Sequence, residues 1–147
     1  MVLGASYATL AELKAYAGVA GSTFDTLLTD ALEAASRGVE LACNRQFNDA
    51  GSVSARVYYP EHGCLVRPDD FHTETGLVIK TDTAADGTYA TTWVAADYEL
   101  RPLNGIANGV AGWPFTQIHS VGSVEFPTSS RRAPVQVTAR WGWAAVP

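Results

Sequence analysis

Five side chains able to bind a metal ion, His62, Cys64, Asp69, Asp70 and His72, fall within one short stretch of the chain. Imidazole nitrogen, thiolate and carboxylate are the donors that zinc takes, and an incomplete set leaves a position for an activated water. A metal-dependent enzyme is the activity this stretch would serve. Its spacing matches no closed zinc pattern, and His, Asp and Cys in a turn-rich connection more often form a hydrated loop with one packed thiol. Asp82 and Asp86-Gly87 resemble a fragment of a calcium loop but lack its intervening acidic ligand and distal glutamate, so an ordinary polar hairpin loop explains them better. Gly122-Ser123 lacks the flanking glycines of a nucleophile elbow, and His119 and Ser120 are adjacent, which on a strand sends them to opposite faces. Gly105, Gly109 and Gly112 carry neither the opening nor the ending of a phosphate-binding loop. The expectation is a protein without catalytic residues, metal ligands or cofactor.

At 147 residues and 47% hydrophobic content the chain has the length and composition of one compact domain with a genuine core. Fifteen acidic against ten basic side chains give a formal charge of −5, which disfavours holding nucleic acid by neutralising phosphates. The start shows no basic region followed by an apolar block, and no stretch is long and apolar enough for a membrane span, so a soluble protein made in the cytosol is expected. In that compartment Cys43 and Cys64 read as two free, packed thiols.

The elements divide along the chain. Thr9-Leu10-Ala11-Glu12 is a capping box, predicting a short helix with Leu10, Leu13 and Ala17 on its apolar face and Gly18 at its end. Ser22-Thr23-Phe24-Asp25 predicts the start of a longer amphipathic helix running from about Thr23 to Arg45. Phe24, Leu27, Leu28, Ala31, Ala35, Val39, Ala42 and Cys43 recur at helical spacing as its core stripe, with Thr29, Asp30, Glu33, Arg37, Glu40 and Asn44 on the wet face and Glu33 placed to pair with Arg37. A line of small residues, Ala31, Ala34, Ala35, Gly38 and Ala42, runs beside the stripe. Glycine inside a helix costs about 1 kcal/mol relative to alanine, so this line implies close approach by another helix of the same domain or by a neighbouring subunit.

From about residue 48 the pattern turns to strands. Val53, Ala55, Val57 and Tyr59 alternate; Asp86-Gly87 lies between Leu77-Val78-Ile79 and the Tyr89–Val94 segment, as in a hairpin; Tyr98 and Leu100 mark a strand stopped by Pro102. Phe115 to Ile118 and Ser123 to Phe126 read as further strands, and the strictest alternation, Val135, Val137, Ala139, Trp141 and Trp143, as a final strand with one buried face. The expected fold is α+β: a helical part over 1–47 and an antiparallel β part over 48–147, forming one domain. Trp113 and Phe115 are either core packing or rim anchors for a partner, and Arg131 and Arg132 either a solvated turn or a contact for an acidic surface.

Several segments together resemble the head-to-tail adaptor (connector) proteins of long-tailed bacteriophages, particularly of phages infecting actinobacteria. They are Ala8-Thr9-Leu10-Ala11-Glu12-Leu13-Lys14, the helix through Cys43-Asn44-Arg45-Gln46-Phe47, Arg56-Val57-Tyr58-Tyr59, Asp97-Tyr98-Glu99-Leu100-Arg101-Pro102, Trp113-Pro114-Phe115, and the stretch from Val135 to Trp143. They span nearly the whole chain, and their order and spacing carry the likeness.

The resemblance implies a structural virion protein at the head–tail junction. Copies would form a closed ring of about a dozen subunits through repeated heterologous contacts, beneath the portal protein and above the next neck or tail protein. The ring extends the channel through which the genome passes during packaging and ejection, without specific DNA binding and without a membrane. A net negative chain suits a channel in which DNA must slide. The Pro60–Thr75 and Asn104–Pro114 segments are the expected places for contacts with partner rings. Another neck or tail ring component, a stopper or tail terminator, is the alternative within the same class. The family usually continues into a C-terminal helical segment packed on the long helix, whereas this sequence stops at Ala144-Ala145-Val146-Pro147. The small-residue line would be the docking face of such a segment.

Overall fold

The computed structural model of the chain describes residues 5–144; the expectations placed on Met1 and on Pro147 lie outside them. Helix α1, Leu10–Ala17, begins as its sequence requires: the Thr9 hydroxyl accepts the Glu12 N–H (3.2 Å) and the Glu12 carboxylate accepts the Thr9 N–H (2.7 Å). Gly18, in the left-handed region at φ 66°, closes it.

Helix α2, Asp25–Cys43, starts later than Ser22-Thr23 implies. Phe24 holds the capping position and supplies no side-chain bond, so neither Ser22 nor Thr23 caps the helix. Instead Lys14 of α1 reaches the Asp25 carboxylate (2.5 Å) and fastens the first turn to its neighbour. Asn44 ends the helix in the left-handed region, a conformation its short polar side chain tolerates. Arg37 pairs with Glu40 (2.9 Å), not with Glu33.

Among the described residues nine strands follow: β1 Val53–Tyr58, β2 Leu65–Val66, β3 Val78–Thr81, β4 Thr91–Thr92, β5 Tyr98–Arg101, β6 Ile106–Ala107, β7 Val110–Ala111, β8 Gln117–Ser120 and β9 Val135–Arg140. They form a four-stranded sheet in the order β1-β9-β3-β4, a three-stranded sheet β2-β8-β5 and the small hairpin β6-β7, with every pairing antiparallel. The architecture is mixed α+β with a sheet-rich part. Asp86-Gly87 lies in the β3–β4 hairpin, where the buried Asp82 carboxylate accepts the backbone N–H groups of Asp86 and Gly87.

Strand β9 lies between β1 and β3, and its alternation follows from one face of the sheet packing into the core: Val135, Val137, Ala139 and Trp141 are buried, while Gln136, Thr138 and Arg140 remain partly open. Val66, Phe71, Ile79, Leu100, Phe115, Ile118 and Phe126 complete the core, each large side chain contributing about 1.5–3 kcal/mol by burial. Ser123 to Phe126 is not a strand; Phe126 still enters the core, its ring stacked 4.2 Å from that of Trp93. The 60–75 segment supplies β2 and Phe71, whose backbone bridges to Phe115 and Trp141.

In β1 the alternation of Val53, Ala55 and Val57 marks the outer face, the reverse of β9. Arg56 and Tyr58 take the inner face, since the Arg56 guanidinium lies 4.6 Å from the centre of the Trp141 ring and both side chains bond Asp69 (2.6 and 2.9 Å). Burial holds the Tyr58 hydroxyl well above its usual pKa, so it stays a donor to that carboxylate.

Candidate functional site

Helix α2 turns Ser36, Arg37 and Glu40 toward its own chain, with Leu28 and Leu32 half-buried on the same helix. The 5–7 segment runs along that side: the Tyr7 N–H donates to the Ser36 hydroxyl (3.1 Å), the Tyr7 hydroxyl donates to Glu40, and Arg37 and Asn48 both donate to the Ala5 carbonyl. Ser36 is the one buried residue of α1 and α2. Tyr7 also packs edge-on against Phe47, whose ring meets Trp143, which in turn meets Trp113 at 5.1 Å. This aromatic series joins the helical part to the β part.

The residues that helical spacing groups as a core stripe therefore point outward. Phe24, Ala31, Ala35, Val39, Ala42 and Cys43 are exposed, Leu27 is 66% exposed, and Leu28 alone of the stripe is half-buried; Leu41, outside the stripe, is 84% exposed. The physical reason is competition for the inner side: Ser36, Arg37 and Glu40 satisfy polar groups of the N-terminal segment that an apolar face would leave unpaired. Phe24, Leu27, Ala31, Ala34, Gly38 and Leu41 recur three and four residues apart, the spacing of a helix–helix seam, with bulk at its ends and small residues between. Ala31, Ala34, Ala35, Gly38 and Ala42 all lie on this open side, and among the described residues nothing stands within 4 Å of a Cβ placed on Gly38.

Beside the C-terminal end of this seam opens a cleft of about 990 Å³ between α2, β1 and the segment following β2. Arg37, Arg45, Arg56 and Arg67 line it, against Glu40, Asp69 and Asp70. Arg37 is held by Glu40 and Arg56 by Asp69. Among the described residues Arg45 reaches only Asp70, at 3.5 Å, and Arg67 uses only its Nε, on Glu61 (2.6 Å). A guanidinium has five N–H donors, so these two arginines bring unused donors to the cleft, where the exposed Leu41 is a further wall residue. The four arginines come from α2 and the turn after it, from β1 and from the segment after β2, and no local spacing groups them.

The potential metal ligands disperse. His62 Nδ1 lies 3.1 Å from the Cys64 sulfur; Asp69 serves Arg56 and Tyr58; Asp70 accepts the Trp143 indole N–H (2.7 Å); and His72 Nδ1 donates to the Gly142 carbonyl (3.2 Å). Among the described residues no three His, Cys, Asp or Glu side chains converge on one point. Cys43 and Cys64 are free but exposed, not packed. His119 is kept below its usual pKa by burial and then by Arg101. Among the described residues no helix is long and apolar enough to cross a membrane.

Of the other expected contact residues, Phe115 is buried with its ring 5.4 Å from that of Phe71, and Trp113 is half-buried on Trp143. Both belong to the packing of the β part, and Phe115 leaves no surface for a partner. Arg131 and Arg132 are exposed; Arg132 donates to the Asp86 carbonyl (3.3 Å), and the Arg131 carbonyl accepts the Tyr59 hydroxyl (2.9 Å). No family model, curated protein or solved structure matches the chain.

Proposed function

We propose that this chain is a structural subunit of a cyclic assembly, a head-to-tail adaptor that joins a phage capsid to its tail beneath the portal. One observation carries the reading: helix α2 turns Ser36, Arg37 and Glu40 to its own chain and leaves Phe24, Leu27, Val39 and Leu41 open to water. Exposed apolar area contributes nothing to the isolated molecule and stabilises an assembly that covers it, by about 25 cal/mol per Å² removed from water. Small residues at Ala31, Ala34 and Gly38 let a neighbouring backbone come close. The likeness of the ordered segments to phage adaptors supplies the setting: copies of itself, the portal and the next neck protein as partners, with DNA passing through.

Imaging and native mass measurement of the purified chain, alone and mixed with portal rings of the same virus, test this. Rings of many copies are expected, and Gly38→Arg is expected to give a folded chain that does not assemble. A parent chain that stays monomeric both alone and with the portal contradicts the proposal.

A further inference from the structure

We infer that the arginine-lined cleft at the C-terminal end of α2 receives the N-terminal half of α2 from a second copy, joining copies head to tail. The inference rests on the assembly proposed above and names the contact that orders it. Among the described residues the Asp30 and Glu33 carboxylates have no hydrogen-bonding or ion-pair partner, and both are exposed. They lie three residues apart on one side of the helix, so two guanidinium groups can meet them together. Arg45 and Arg67 are the cleft's half-exposed cations with donors to spare.

Apolar chemistry matches in the same register. Asp30 follows Leu27 by three residues, and Leu27 is open to solvent; Leu41, open as well, stands in the cleft wall. A second copy's Leu27 against Leu41 would cover both while its Asp30 and Glu33 reach Arg45 and Arg67. The contact is thus continuous with the outward seam of α2. Charge complementarity also answers a problem of the whole molecule, since copies carrying −5 each repel at long range and need a local attraction to fix their order. The two surfaces differ, so when each is met by a separate copy the contact is heterologous and propagates to a ring or filament, whereas reciprocal pairing would stop at two copies.

Charge reversal on the full chain tests this by sedimentation and native mass measurement. Arg45→Glu with Arg67→Glu, and separately Asp30→Lys with Glu33→Lys, are each expected to weaken association at least about tenfold. Mixing the two reversed chains is expected to restore assembly in strict alternation, because each then offers the other a complementary surface; the restored species also shows that both chains fold. Arg67→Glu alone, which leaves the Arg45–Asp70 tie intact, is expected to weaken association to a smaller extent. Assembly of the reversed chains equal to the parent overturns the inference, as does loss of portal binding by the cleft variant with self-assembly intact, which assigns the cleft to another protein. Those results leave the adaptor reading standing. A species that stops at two copies overturns the head-to-tail order, and a parent chain that is monomeric at every concentration and with the portal overturns both.

Discussion

The β part and the helical part of this chain solve the burial problem in opposite ways. Around β9 the large side chains face one another, with Trp141 1% exposed and Val135 and Val137 closed to solvent, so the sheets are stabilised by contacts within the chain. In α1 and α2 only Ser36 is buried, and Phe24, Leu27, Val39 and Leu41 face water. The same physical chemistry acts on both. The difference teaches that the β part buries its own apolar side chains, while the helices are tied to it by polar bonds and an aromatic joint and leave much of their apolar surface open to water.

The sharpest way to break this contrast is to cut into the body. Trp141→Ala removes an indole that also donates to the Ser54 carbonyl (2.9 Å), and about 3–5 kcal/mol of stability should go with it, read by urea unfolding. At the joint, Gly142 has φ 93° and a Cβ there would stand 1.9 Å from the Asn48 carbonyl oxygen. That atom is backbone and cannot swing aside, so Gly142→Ala should cost about 3 kcal/mol or more, with the segment after Asn44 displaced from β9. A loss under 1 kcal/mol would mean that the joint is looser than the geometry requires.

The helical part should respond in the other direction. Gly38→Ala fills open space in a helix interior and should raise the stability of the isolated chain by roughly 0.5–1 kcal/mol while weakening its self-association. A core glycine would behave oppositely in the first respect. Thr9→Ala removes the capping box and should cost about 1 kcal/mol.

The smallest effect is electrostatic. Two bonds from Arg140 hold the Asp49 carboxyl at about 2, below its usual 3.8. A depressed folded pKa stabilises the native state above the unfolded value, and this contribution is lost as pH falls from about 4 toward 2. Asp49 is solvent-exposed, so screening keeps the effect well below what the shift alone implies. Urea midpoints of the parent and Asp49→Asn, compared at falling pH, should converge as the carboxyl protonates.

Where local rules decide, the sequence is legible. Thr9, Glu12 and Gly18 delimit α1 because caps act within one turn, and Val135 to Trp141 announce β9 because one face of this strand packs into the core while the other stays partly open. Spacing tells which residues share a face but not what covers it. For this reason the stripe from Phe24 to Cys43 reads as core although the N-terminal segment takes the opposite side, and Val53, Ala55 and Val57 read like β9 although Arg56 is drawn inward by Trp141 and Asp69. The arginine cleft was invisible for a related reason: Arg37, Arg45, Arg56 and Arg67 meet only once α2 and β1 are placed side by side.

A density map of the assembled neck, resolved to side chains, tests the account most directly. It should show a ring in which the outward side of α2, from Leu27 through Gly38 to Leu41, is covered by the neighbouring copy. A ring in which that side still faces solvent, or a neck without this chain, would contradict it.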